Sequence, residues 1–165
     1  MSLTPAAQDG ILVAGNLRVP CKLGRSGRRW LKREGDGATP RGVWPMRRVL
    51  ARREASRGLR SALPLRFIAP DDGWCDEASD RNYNRFVKLP YGASHEELWR
   101  KDRLYDVVVI LGHNDRPRIR GFGSAVFFHL SDPGGGPTAG CIAVTPQDMR
   151  RVLPFCGPKT KIKIW

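Results

Sequence analysis

GSAVFFHLSDPGGGPTAGCIAV, running from Gly123 to Val144, sets two apolar runs on either side of a glycine-rich bend. Ala125 to Phe128 reads as a buried strand that delivers His129, because apolar and aromatic residues bounded by turn formers fit a pleated, covered segment. Pro133, Gly134, Gly135, Gly136 and Pro137 read as a tight loop. Thr138-Ala139-Gly140-Cys141-Ile142 then begins a second short strand. A strand, a return loop and another strand can bring His129 and Cys141 side by side. A free thiol with a pKa of about 8.5 is mostly protonated at neutral pH, and the thiolate is the nucleophile. An imidazole within hydrogen-bond reach can remove that proton. Gly140 leaves the backbone open, so the amides of Gly140 and Cys141 could point at a developing oxyanion. The competing reading is structural: a cysteine between Gly and Ile as a small buried hydrophobe, and a histidine after Phe-Phe as a satisfied core residue.

Upstream, Val107 to Leu111 (VVVIL) is a continuous run of strand formers and is expected at the centre of a sheet. It leads into Gly112-His113-Asn114-Asp115, where Asn114 should orient a turn. Ile11–Val13 and Leu17–Cys21 predict a hairpin across Gly15-Asn16. Residues 24–42 are glycine-rich and read as a loop and a turn with Trp30-Leu31 as a short strand, Asp36 and Thr39 capping or orienting the loop. Arg47 to Arg60 is the most basic stretch, read as an exposed basic face, with a helix burying Val49 and Leu50 as one option. Residues 70–92 form an acidic and aromatic island around Trp74 and Cys75. Its carboxylate spacing does not match a calcium-binding EF-hand loop, so it reads as a polar insertion over a cleft. Ser94 with Glu96 and Glu97 predicts a short helix toward Trp99 and Arg100. Thr145-Pro146-Gln147-Asp148 predicts a capped helix with Met149, Val152 and Leu153 inward, closed by Pro154. Lys161 to Trp165 alternates and reads as a last strand. The expected fold is mostly β, a curled mixed sheet or sandwich with one or two short α-helices, in a single domain over 1–165.

A length of 165 residues and a hydrophobic share of 41% can fill one core. Lys plus Arg number 29 against 16 Asp plus Glu, a net charge of +13, so the surface should attract polyanions. No apolar run reaches the 18 or so residues of a membrane span. MSLTPAAQDG shows neither the basic start nor the apolar centre of a secretion signal. Cys21, Cys75, Cys141 and Cys156 contain no Cys-x-x-Cys pair, which argues against a zinc site; one disulfide is possible, and an all-reduced state is simpler.

His129, a loop, and Thr138-x-Gly140-Cys141-Ile142 resemble the signature of the YkuD-type L,D-transpeptidases, cysteine enzymes that cross-link peptidoglycan stem peptides. Gly35-Asp36-Gly37-Ala38-Thr39-Pro40-Arg41-Gly42 resembles that family's upstream Gly-x-x-Thr-Pro-x-Gly segment, and the resemblance covers most of the chain. The eight-residue spacing from His129 to Thr138 and Ala143 after the motif depart from the commonest members. With Trp74-Cys75-Asp76, Tyr83-Asn84-Arg85 and Leu98-Trp99-Arg100, they resemble a compact proteobacterial branch linked to cross-links made through L-alanine at the first stem position. The resemblance implies Cys141 as nucleophile and His129 as base, ahead of His113. It further implies a backbone carbonyl after His129 as its orienting partner, Thr138 holding the loop, and no metal or organic cofactor. Within the 70–92 insertion, Trp74, Tyr83, Asn84 and Arg85 are candidate substrate contacts, with packing or turn-making the alternative for each. It implies peptidoglycan stem peptides as partners and a periplasmic or wall location, with the cytoplasm as the alternative where no signal is visible. Two rivals stand beside it: a Cys-dependent L,D-peptide hydrolase or amidase, and a non-enzymatic basic module binding nucleic acid. The second is disfavoured because aromatic residues do not interleave with the arginines in sequence.

Overall fold

The computed structural model describes residues 7–165, so the reading of the first residues as lacking a signal lies largely outside them. β1 (Asp9–Ala14) and β2 (Leu17–Lys22) form the expected hairpin, turned at Gly15 with φ +57°. Two short strands follow, β3 (Arg28–Arg29) and β4 (Thr39–Pro40), and then the long β5 (Gly42–Ala51). β6 (Leu65–Phe67) lies beside β5. β7 (Asp72–Cys75), β8 (Arg85–Lys88) and β9 (His95–Glu97) make a separate three-stranded sheet. β10 (Val107–Leu111), β11 (Phe127–Leu130), β12 (Ile142–Val144), the helix α1 (Pro146–Val152) and β13 (Lys161–Ile164) complete the chain. The principal sheet runs β1-β2-β12-β11-β10-β5-β13, with β6 attached to β5. It is mixed: β11 and β12 are parallel, while β10 is antiparallel to both of its neighbours. The mostly β architecture with one short helix is the expected one.

Both faces of the sheet are covered. One buries Val49, Val109, Phe128, Leu130, Ile142 and Val144 against Met149 and Leu153 of the helical corner. The other buries Leu50, Val108, Ile110, Phe127 and Cys141 together with Leu98 and Tyr105. Double coverage explains why β10 is apolar without alternation. It also explains why the helix held out as one option for Arg47–Arg60 is absent, while Arg47, Arg48, Arg53, Arg57 and Arg60 are exposed as expected: consecutive Val49 and Leu50 are both buried because they point to opposite covered faces of a strand. Its ladder partners β10 and β6 hold Val49–Ala51 extended, a pairing that the stretch itself does not announce.

Two other local expectations fail for similar reasons. Ser94–Arg100 is not helical; His95–Glu97 is a strand because it pairs with Gly73–Cys75 of β7. Trp30-Leu31 is not a strand either, and both side chains are exposed. The extended pair sits at Arg28–Arg29, and the chain then bends so that Lys32 can meet Asp36 across a tight turn. The helix cap is as expected: the Thr145 hydroxyl accepts from the amide of Asp148 and Pro146 occupies the first turn. All four cysteines are free thiols.

Candidate active site

The parallel register pairs Phe128 with Ile142 and His129 with Ala143. Side chains alternate along a strand, and registered partners share a face. Cys141, immediately before β12, therefore points to the same side as Phe127 and His129. Phe128, Leu130, Ile142 and Val144 take the opposite, dry face. The thiol is fixed by backbone: the amide of Phe127 donates to Sγ at 3.3 Å, and Sγ donates to the carbonyl of Ala125 at 3.2 Å.

His129 is buried, and its Nδ1 lies 2.8 Å from the carbonyl oxygen of Leu130. A carbonyl only accepts, so Nδ1 carries the proton and Nε2 is left with its lone pair. The orienting group is thus a backbone carbonyl, that of the very next residue. The Tyr105 ring packs edge-on against both His129 (5.1 Å) and Phe127 (5.7 Å), and its hydroxyl donates to Glu96. Arg100, which lies over the Tyr105 ring, forks onto Asp102.

Burial sets the protonation states. It pushes the Cys141 thiol up to about 12, with the Glu96 carboxylate adding to the rise; the Phe127 amide, Lys32 and Arg100 pull the other way. Burial also lowers His129 to about 4, against the raising effect of its bond to Leu130. At neutral pH the resting pair is therefore an uncharged thiol and an uncharged imidazole. Glu96, mostly buried, has its own carboxyl raised by desolvation.

The turn before the cysteine is held by two threonines. The Thr138 hydroxyl donates to the carbonyl of Cys141 at 2.7 Å and accepts from the amide of Gly140 at 3.1 Å. The Thr39 hydroxyl, 102 residues from Cys141 in sequence, reaches the same carbonyl at 3.2 Å and accepts from the amide of Gly24. Of the two amides expected at the oxyanion, that of Gly140 is thus engaged, while that of Cys141 has no protein acceptor among the described residues. Gly140 has φ +141°, and a Cβ there would lie 2.9 Å from the carbonyl oxygen of Ala38. The glycine is required by both conformation and space.

The remaining expected residues are dispersed around this centre. Asn84 is buried and committed to protein partners. Its Oδ1 accepts from Trp74 Nε1 and the amide of Ala125, and its Nδ2 donates to the carbonyls of His113 and Asn114. Tyr83 is also buried, its hydroxyl donating to Glu34. Trp74 is half-buried with its ring 5.3 Å from that of Phe127, whereas Arg85 is exposed. His113 packs on Trp44 and bonds through Nε2 to the carbonyl of Phe122. Asn114 binds the carbonyls of Ile119 and Gly123, orienting its turn as expected. Tyr105, Glu96 and Lys32 around the thiol have no site role legible in the sequence; single polar residues in three different segments carry no shared pattern.

A model of the L,D-transpeptidase catalytic domain of the YkuD family matches residues 8–164. The chain belongs to that family. No curated protein and no solved structure matches it. Membership supports a peptidoglycan-related L,D-transpeptidase function at the level of the family. Among the described residues no helix is long and apolar enough to cross a membrane.

Proposed function

We propose that this protein is a peptidoglycan L,D-transpeptidase whose single catalytic domain works through Cys141 and His129. The observation that carries the reading is the shared face of those two residues on adjacent parallel strands, with the His129 tautomer held by the carbonyl of Leu130. Cys141 attacks the carbonyl carbon of an L-residue in one stem peptide while Nε2 of His129 takes the thiol proton. The free amide of Cys141 receives the oxyanion. His129 then protonates the departing amine of the D-residue, leaving a thioester. A diaminopimelate amine of a second stem attacks that thioester, gives its proton to His129, and the thiolate regains it. Because thiol and imidazole both rest uncharged, the proton moves only as the carbon–sulfur bond forms. Thr138 and Thr39 act as positioning residues on the Cys141 carbonyl. L-alanine at the first stem position as acyl donor is part of the proposal, as is a periplasmic or wall location.

Mass spectrometry of defined muropeptides incubated with wild type and Cys141→Ala tests this. Wild type should accumulate cross-linked dimers and a transient adduct on Cys141, both absent from the variant. Shortened stems without dimers would assign hydrolysis instead, and an unchanged mixture would remove the enzymatic reading.

A further inference from the structure

Between the principal sheet and the three-stranded sheet lies a cleft of about 340 Å³. That is within the size range of small-molecule sites. Its floor is apolar, made by Leu50, Ile110, Leu111, Phe86 and Trp74, and its rim is almost wholly cationic. Six guanidinium groups line it, from Arg47, Arg48, Arg66, Arg85, Arg116 and Arg118, against a single carboxylate, Asp115. Asp115 is already taken by Arg47, and Arg66 is paired with Asp72 outside the lining. Arg48, Arg85, Arg116 and Arg118 have no ion pair among the described residues. Arg118 reaches only the backbone carbonyl of Asn84. Burial, then the nearby Arg85 guanidinium, push Arg118 below its ordinary value, and Arg116 adds to this. Four unpaired guanidinium groups around one concave apolar floor repel one another, and an anion in the cleft would relieve that repulsion.

The cleft is coupled to the thiol through its own wall. Trp74 packs on Phe127, whose amide donates to Sγ of Cys141. Asn84 holds Trp74 Nε1 and the amide of Ala125, whose carbonyl accepts from Sγ. Two residues of the cleft wall, Trp74 and Asn84, thus touch the residues that hydrogen-bond the sulfur.

We infer that this cleft is a subsite for a carboxylate-bearing peptide segment, its aliphatic part lying on Leu50, Ile110 and Phe86 and its carboxylates meeting Arg48, Arg85, Arg116 and Arg118. The inference rests on the transpeptidase reading, since the carboxylates of a stem peptide supply that chemistry. Guanidinium suits the role because it matches a carboxylate in a planar, two-pronged bond. The carboxylates can come from the donor stem or the acceptor stem, and the chemistry is the same for both.

The test uses the full chain carrying Cys141→Ala, so that bound peptide survives, and isothermal titration with a donor tetrapeptide and an acceptor tripeptide. Each is supplied with free side-chain and α-carboxylates and in a fully amidated form. Combining Arg85→Gln with Arg116→Gln should weaken the free-acid peptide roughly tenfold or more and leave the amidated peptide unchanged. Loss confined to the donor or to the acceptor assigns the source. Arg48→Gln alone, an exposed substitution on the opposite wall, should give a smaller loss in the same sense and serves if the double variant is misfolded. Equal affinity of variant and parent for the free-acid peptide overturns the subsite. So does a duplex oligonucleotide that binds the parent more tightly than the peptide and loses affinity with the same substitutions, which would make the rim a nucleic-acid contact. Adduct formation on Cys141 in the otherwise unmodified enzyme is read separately. An adduct with arginine-independent binding sinks the subsite alone; arginine-dependent carboxylate binding without an adduct sinks the reaction alone.

Discussion

The two faces of β11 and β12 are built from the same few residues and do opposite work. Phe128, Leu130, Ile142 and Val144 face the apolar core closed by the helical corner, packed among buried aliphatic residues. Phe127, His129 and Cys141, interleaved with them, face Tyr105, Glu96 and Arg100. The first face holds the strands in register. The second uses that register to set a thiol and an imidazole on one side, at a cost in buried polar groups that the first face offsets. A strand's period of two lets one short segment serve both ends without compromise.

The sharpest way to break this comparison is to change one residue on each face. Cys141→Ala should abolish cross-linking, by at least about a thousandfold, with little change in melting temperature. Phe128→Ala, which empties a fully buried ring site, should destabilise the fold by about 3–5 kcal/mol in urea titration, with turnover per folded molecule retained at low temperature. If Cys141→Ala unfolds the protein or Phe128→Ala silences the folded fraction, the division between faces is wrong.

Acidification probes the second face alone. His129 is held near 4 in the fold, below its ordinary 6.5, so the unfolded chain binds its proton first as the pH drops. Its contribution is full above pH 6.5 and is lost as the pH falls toward 4, on the order of 3 kcal/mol in all. His129→Gln should flatten that limb of the stability profile measured by denaturant titration; an unchanged limb would refute the burial argument. Cys141 has the opposite sign: raised from 9.0 to about 12, it supports the fold below pH 9 and weakens it as the pH climbs through that window. The smallest effect belongs at the margin of the first face. Thr145→Ala removes the α1 cap and should cost about 1 kcal/mol, with unchanged turnover. A loss of activity there would mean that the helical corner steers the site as well as supporting the sheet.

Much of the fold was legible because several elements carry their own signals. The Val107–Leu111 run, the Gly15-Asn16 hairpin, the Thr145 cap and the alternating C-terminal strand each declare themselves within a few residues. Gly42–Ala51 and His95–Glu97 did not, since each is extended only because a partner strand, distant or neighbouring, supplies its ladder. The arginines teach the same lesson. In sequence they look like a free basic surface with no aromatic interleaving. In the fold Arg33, Arg52, Arg53 and Arg66 lie over Phe122, Trp99, Phe67 and Phe86 at 4.3 Å or less, so several guanidinium groups are held against rings distant in the chain.

Taken by itself, the chain order of His129, a glycine-rich bend and Thr138-x-Gly140-Cys141 determined the family and the pair of residues on which its chemistry is proposed to rest, because a local motif encodes residue type and spacing. Tertiary structure alone decided which amide stays free, which carbonyl holds the imidazole, that Thr39 reaches across the molecule to the Cys141 carbonyl, and that four unpaired arginines converge on one apolar cleft. Those are properties of groups brought together from separate strands, and proton affinity, hydrogen-bond supply and charge repulsion depend on the distance through space between them.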